Sequence, residues 1–179
     1  RYQDNEDRSN ANSWSPSNFA SYMKIELGGN YRTYYCTKTS SGSTGSSAWP
    51  RGSYCIARYG GNCPSGFSSG YKRWDDEDSS NRNSQQDPIP DGSYGSNTLI
   101  QYCCRRDGSV SVGMVLPTAQ PFVLYRYGGT CQTVTGMTVR QLYLHFDDED
   151  SSNNNYCSGT HPDDSSCGRN HDLYFCYYS

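Results

Sequence analysis

The densest chemistry in this sequence is a run of side-chain oxygens that occurs twice. Trp74 is followed by Asp75, Asp76, Glu77, Asp78, Ser79, Ser80, Asn81, Arg82 and Asn83. Phe146 is followed by Asp147, Asp148, Glu149, Asp150, Ser151, Ser152, Asn153, Asn154 and Asn155. Adjacent carboxylates repel one another unless something compensates them. A solvated acidic turn is the ordinary fate of a charge run. Asp, Ser and Asn are also good acceptors for exposed backbone N–H groups, and can hold an irregular loop in place. The third reading is Ca2+, which takes about six to eight oxygens from carboxylates, amide carbonyls and backbone. Its ligands would be Asp75, Asp76, Asp78, Asn81, Asn83 and Asp91 in the first copy. In the second they would be Asp147, Asp148, Asp150, Asn153, Asn155 and Asp163. The run is not an EF-hand, since that loop's glycine and its closing glutamate are both missing. Calcium and loop-holding stand level on the sequence, because both copies keep the whole oxygen-rich set. The solvated turn ranks below them, because the flanking aromatic recurs too.

The surroundings of the two runs also repeat. Each is preceded by Arg-Tyr-Gly-Gly-x-Cys, at 58–63 and 126–131. Each is followed by Pro-Asp, Pro90-Asp91 and Pro162-Asp163, and then by an apolar, cysteine-bearing run, 99–104 and 173–178. This reads as an internal duplication. Alternating apolar and polar residues predict strands at 54–59, 122–127 and 142–146, and a hairpin from 23–27 and 31–36 around Gly28-Gly29-Asn30. Ser15-Pro16 suits a helix start, so a short helix is expected within 14–22. Residues 1–13 are polar, with nothing to bury, and are expected to be mobile or loosely attached. Residues 37–48 are nearly all Ser, Thr and Gly, and form the best internal boundary. The expected fold is mostly β: a single disulfide-rich domain built from two pseudo-symmetric β repeats with long loops. Residues 1–48 are an N-terminal extension, 49–109 the first repeat and 110–179 the second.

At 179 residues, 33% hydrophobic and with 17 tyrosines, the chain must build much of its core from tyrosine rings. Nine cysteines without CxxC or histidine spacing indicate an oxidising compartment rather than a zinc site. Four bridges leave one thiol, free or pairing with another chain as a disulfide-linked oligomer. Cys157–Cys167 closes a short polar loop. Cys63–Cys103 and Cys131–Cys176 would be equivalent bridges under the repeat. The formal charge of −3, with no basic stripe, speaks against nucleic acid. No apolar run approaches a membrane span. No signal peptide is visible, and residues 1–12 have the look of a trimmed N-terminus.

No Gly-x-Ser-x-Gly elbow or HExxH motif occurs. His145, His161 and His171 lie outside the repeated set, so a metal site common to both halves does not use them. A site confined to the second half would draw on His161, Asp163, Asp164, His171 and Asp172, and would make the chain a metal hydrolase. The stronger expectation is no enzyme. Loops of Tyr, Ser, Gly and Asn are typical of adaptable binding surfaces. Sugars, with apolar ring faces and hydroxyl rims, suit them. The candidate contacts are Trp49, Tyr59, Tyr71, Tyr127 and Tyr143. Trp74 and Phe146 are expected to be core anchors.

Several segments together resemble the apextrin C-terminal domain, ApeC. They are Trp49-Pro50-x-Gly52-Ser53-Tyr54-Cys55-Ile56, Cys63-Pro64-x-Gly66-Phe67, both acidic runs, Tyr102-Cys103-Cys104-Arg105, Leu116-Pro117-Thr118, Gly129-Thr130-Cys131-Gln132 and the closing residues 171–177. The resemblance covers about residues 49–178. It implies a secreted invertebrate protein of innate immunity that binds bacterial cell-wall glycans, peptidoglycan and its muramyl peptide unit, and agglutinates bacteria. Other relatives are tied to extracellular matrix and adhesion. It carries over no binding residues.

Overall fold

The computed structural model describes residues 1–5, 9–35, 49–78, 80–148 and 153–179. The strands are β1 (Tyr2–Gln3), β2 (Ser13–Ser15), β3 (Ile25–Glu26), β4 (Tyr31–Thr33), β5 (Ser53–Ala57), β6 (Ser68–Trp74), β7 (Gly92–Tyr94), β8 (Thr98–Arg106), β9 (Phe122–Arg126), β10 (Val139–Phe146), β11 (Tyr156–Gly159) and β12 (His171–Tyr178). Among the described residues no α-helix occurs, and Phe19–Ser21 makes one 3-10 turn. The large sheet runs β11-β6-β8-β5-β9-β12-β10-β2, with β7 also on β8, and β1-β4-β3 form a small sheet. Every strand pairing is antiparallel.

The period-two pattern of the central strands explains why both sheet faces are covered. Cys55, Phe175, Leu142, Leu144 and Phe146 face one core, which Phe19, Ile25 and Tyr31 of the N-terminal segment close. Tyr54, Leu124, Cys176 and Tyr178 face the other, under Met114 and Val134. Tyrosine is a large part of both cores: Tyr31 Oη donates to His145 O and Tyr178 Oη to Gln132 O, while the buried Tyr102 Oη meets no partner among the described residues.

The predicted hairpin is present as β3 and β4. The predicted helix at 14–22 is not. Trp14 pairs with Leu144 in an edge strand, and only one turn follows. The N-terminus is not loosely attached either. Tyr2 and Gln3 pair with Arg32 and Tyr31, and Gln3, Asp4 and Asn5 are buried. Their polar side chains are matched to polar partners rather than to apolar surface, which hydrophobic patterning does not register. Four disulfides staple the sheets: Cys63–Cys103, Cys131–Cys176 and Cys157–Cys167, as expected, and Cys55–Cys104. The last joins directly opposed residues of β5 and β8, a register that spacing alone does not give. Cys36 and the boundary loop at 37–48 lie outside the described residues.

Candidate functional site

The acidic runs fold as polar latches. Each begins where a strand ends on a buried aromatic, Trp74 or Phe146, which confirms both as core anchors. The next two carboxylates, Asp75 and Asp76 or Asp147 and Asp148, turn inward and are buried. Asp76 N donates to Asn97 Oδ1 (2.9 Å) and Asp148 N to Asn170 Oδ1 (3.2 Å). Asn83 Nδ2 donates to Asp76 Oδ2 and Asn155 Nδ2 to Asp148 Oδ2, both at 2.7 Å. Asn81 Oδ1 accepts from Asn83 N, and Asn153 Oδ1 from Asn155 N. These are loop-holding bonds, formed twice with the same atoms.

Two of these bonds are formed a third time, at Asn5 and Asn12, without the amide-to-carboxylate bond. Asn5 N donates to Asn30 Oδ1 (2.7 Å) and Asn12 N to Asn10 Oδ1 (3.0 Å). The three stretches then grip one another in a closed circle. Asn12 Oδ1 accepts from Asp147 N (2.7 Å), Asn155 Oδ1 from Asp75 N (2.5 Å) and Asn83 Oδ1 from Asp4 N (2.7 Å). The return bonds run from Ala11 N to Asp147 Oδ2, from Asn154 N to Asp75 Oδ2 and from Arg82 N to Asp4 Oδ2. So the hydrogen bonds do not divide into two halves. The signal was in the sequence: Asp4, Glu6, Asp7, Ser9, Asn10 and Asn12 keep the spacing of the other copies, and Gly-x-Asn recurs at 28–30, 95–97 and 168–170. Gln3 in place of the aromatic, and Asn5 in place of an aspartate, hid it.

The twelve-residue calcium set does not close on an ion. Asp91 Oδ1 and Oδ2 accept from Gly60 N, Gly61 N and Arg58 Nε, and Asp163 does the same for Gly128, Gly129 and Arg126. Both therefore leave the set, engaged at their own Gly-Gly turns. Asp78 is exposed and Asp150 lies outside the described residues. Asp75, Asp76, Asn81, Asn83, Asp147, Asn153 and Asn155 accept N–H or O–H donors through the oxygens a cation would need. Among the buried acceptors, Asp148 Oδ1, Gln3 Oε1 and Asn5 Oδ1 lack partners, and so do the donors Arg1 Nε and Nη2. Burial pushes the Asp76 carboxyl up, opposed by the Arg1 charge and by bonds from Thr98, Gln3 and Asn83. Burial raises Asp148 well above the carboxylate range, and the neighbouring Asp76 adds to it.

In the second half, the candidate metal ligands are engaged with other side chains. Cys157, Asp164, Cys167 and His171 cluster within 4.8 Å. The two sulfurs are joined in a disulfide and offer no thiolate. Asp164 Oδ2 instead meets the buried Lys72 ammonium (2.9 Å) and His171 Nδ1 (2.6 Å). Burial raises the Asp164 carboxyl, but the His171 bond and the Lys72 charge prevail and hold it at about 2. His161 Nδ1 faces its neighbour's carbonyl, Pro162 O. Beside this network, Asp172 accepts from Tyr143 Oη (2.8 Å), from Ser165 Oγ and from His145 Nδ1 (2.8 Å). Serine and histidine both bond the carboxylate and not each other, so no nucleophile–base pair is formed.

The five candidate aromatics are not gathered into one site. Trp49 packs on Tyr54 and Phe67. Tyr71 meets Tyr156 edge-on, and Tyr143 packs on Tyr174. Tyr127 lies against the main core. Tyr59 is 54% exposed and reaches a cavity of about 480 Å³ lined also by Arg58, Asp87, Asp91, Tyr94 and Gln101.

The family model for the C-terminal domain of apextrin, ApeC, matches residues 1–178. The chain belongs to the ApeC family. The match takes in the N-terminal 48 residues, whose first twelve close the circle of latches in this ApeC domain. No curated protein and no solved structure matches the chain.

Proposed function

We propose that this ApeC domain is a secreted, non-catalytic recognition module for bacterial cell-wall glycans. ApeC membership carries the reading, through the peptidoglycan binding that the family resemblance implies. The four disulfides suit an extracellular protein. The occupied carboxylates favour scaffold over catalyst: a glycosidase needs one acid kept free and protonated opposite a second, whereas Asp75, Asp76, Asp147, Asp164 and Asp172 hold loops or buried cations. The donor set does not fit calcium, so chelation should leave binding unchanged. A sedimentation assay on insoluble peptidoglycan tests the proposal. Retention with and without chelator is expected. Protein left in the supernatant in both buffers sinks the reading, and retention lost only with chelator restores calcium to it.

A second reading, an adhesive or matrix component that oligomerises, rests on cysteine number. Eight of nine cysteines pair within the chain. That reading requires a disulfide-linked species on a non-reducing gel, and a clean monomer removes it.

A further inference from the structure

The cavity beside Tyr59 is open to solvent and has unengaged polar groups on its walls. Arg58 donates to Asp91 through Nε alone, and its two terminal nitrogens meet no acceptor among the described residues. Among the described residues, the Asp87 carboxylate and the Gln101 amide, which line the same space, form no side-chain hydrogen bond or ion pair. Tyr59 presents an exposed ring at the rim. A guanidinium edge, an amide, a carboxylate and a ring face in a cavity of about 480 Å³ suit one saccharide unit.

Charge decides which kind of sugar. Arg58 and Asp91 neutralise one another at 2.9 Å. Among the described residues no cation lies within ion-pair distance of Asp87, so the described charges on its walls leave the cavity with one net negative charge. A carboxylated sugar would bring a second negative charge against it, whereas the hydroxyls of a neutral sugar donate to it.

We propose that this cavity is a subsite for a neutral pyranose. Its ring lies on Tyr59. Its hydroxyls donate to Asp87 and accept from the Arg58 terminal nitrogens, and Gln101 does both. The subsite rests on the glycan-recognition reading and narrows it to an uncharged sugar unit of a wall glycan.

The test uses the full chain, titrated with N,N′-diacetylchitobiose, N-acetylmuramic acid and glucuronic acid and followed by amide NMR shifts. Chitobiose should shift the Gly60 and Gly61 amides and the Gln101 side-chain amide. At about 20 mM salt the two acidic sugars should bind at least about threefold more weakly, with the gap shrinking at about 150 mM. Asp87→Asn should narrow that gap. Tyr59→Ala, at an exposed ring that folding does not need, should weaken chitobiose about tenfold, the size of one aromatic contact. Tyr143→Ala should not change it. Acidic sugars binding as tightly as chitobiose overturn the proposal, and so does chitobiose binding that Tyr143→Ala lowers and Tyr59→Ala does not. Retention on peptidoglycan that survives Tyr59→Ala and Asp87→Asn unchanged sinks the subsite while the wider reading stands. Chitobiose bound at Gly60 and Gly61 without retention on peptidoglycan does the reverse.

Discussion

The two Arg-Tyr-Gly-Gly turns share a backbone and differ in what their arginines touch. Arg58 Nε bonds Asp91 at 2.9 Å and Arg126 Nε bonds Asp163 at 2.7 Å. In each, the aspartate also takes two glycine N–H groups, and its own N–H returns to the arginine carbonyl. The glycines sit at φ of 86° and 88° in one turn and 89° and 87° in the other, a conformation that side chains resist. Beyond this clamp the turns part. The Arg126 guanidinium lies 3.6 Å over the Tyr174 ring and donates to Gln141. At the equivalent places the first turn has Gln101 and Ser69, so Arg58 keeps its outer edge open. Groups that shape the backbone stayed alike, and groups that only touch the arginine diverged until one turn is closed and the other faces a cavity.

The largest asymmetry lies one residue further on. Asp91 is followed by Gly92, where a Cβ would meet Leu99 O at 2.0 Å, so the backbone of β7 can approach β8. Asp163 is followed by Asp164, the partner of the fully buried Lys72. Asp164→Asn should therefore cost about 3–5 kcal/mol, because it strands a buried ammonium. Urea unfolding measures this, and a loss under 1 kcal/mol would mean that Lys72 is neutral or finds other partners. The pH dependence has a fixed sign. Asp164 is held below its ordinary value, so its contribution is complete above about pH 4 and is lost as pH falls through about 2.

The clamps themselves come next. Asp91→Ala and Asp163→Ala each remove the acceptor of two N–H groups and a guanidinium, at about 2–3 kcal/mol apiece. Near-equal losses in paired denaturation curves support one shared device. A difference above about 1 kcal/mol would show that Tyr174 and Gln141 hold the second turn without its aspartate.

The circle of latches supplies its own control for a smaller effect. Asn5, Asp76 and Asp148 hold equivalent places, and all three are buried. Asp148 is pushed well above the usual carboxylate range by burial, so removing its charge should help. Asp148→Asn keeps an oxygen for Asn155 Nδ2 and should stabilise the domain by about 1 kcal/mol at pH 7. Thermal melts check it, and a clear loss would return the carboxylate to a role as an ion ligand.

Much of the β-structure was legible because it rests on period-two alternation: 54–59, 122–127 and 142–146 fall on β5, β9 and β10, and the predicted hairpin on β3 and β4. The Cys63–Cys103 and Cys131–Cys176 bridges followed from repeat equivalence and needed no geometry. What stayed hidden depends on polar pairing. Residues 3–12 look like a solvated tail until Asn30, Asn83 and Asp147 are placed beside them. The open state of Arg58 depends on Gln101 lying beside it, and that neighbour is set by the pairing of β5 with β8. The five aromatics were chosen by type and position in the repeat, and type does not say which rings pack on others. Tyr59 kept an exposed face on a polar cavity, and Trp49 lines a neighbouring cavity with it.

The smallest effect gives the sharpest contrast, because the two turns can be exchanged by one residue each. Tyr174→Gln removes the ring under Arg126 and should cost about 1 kcal/mol, a surface cation–π contact together with its packing. It should create no sugar site, because Gly159 takes the sequence place of Asp87. Gln101→Tyr is the reciprocal change. It places a ring beneath the Arg58 guanidinium, leaves the Asp91 clamp alone, and should shift stability by no more than about 0.5 kcal/mol. Its expected effect is on the cavity: with Arg58 drawn onto the new ring, chitobiose shifts at Gly60 and Gly61 should vanish in a fully folded protein. If they persist, the difference between the turns lies elsewhere than in the arginine's neighbour.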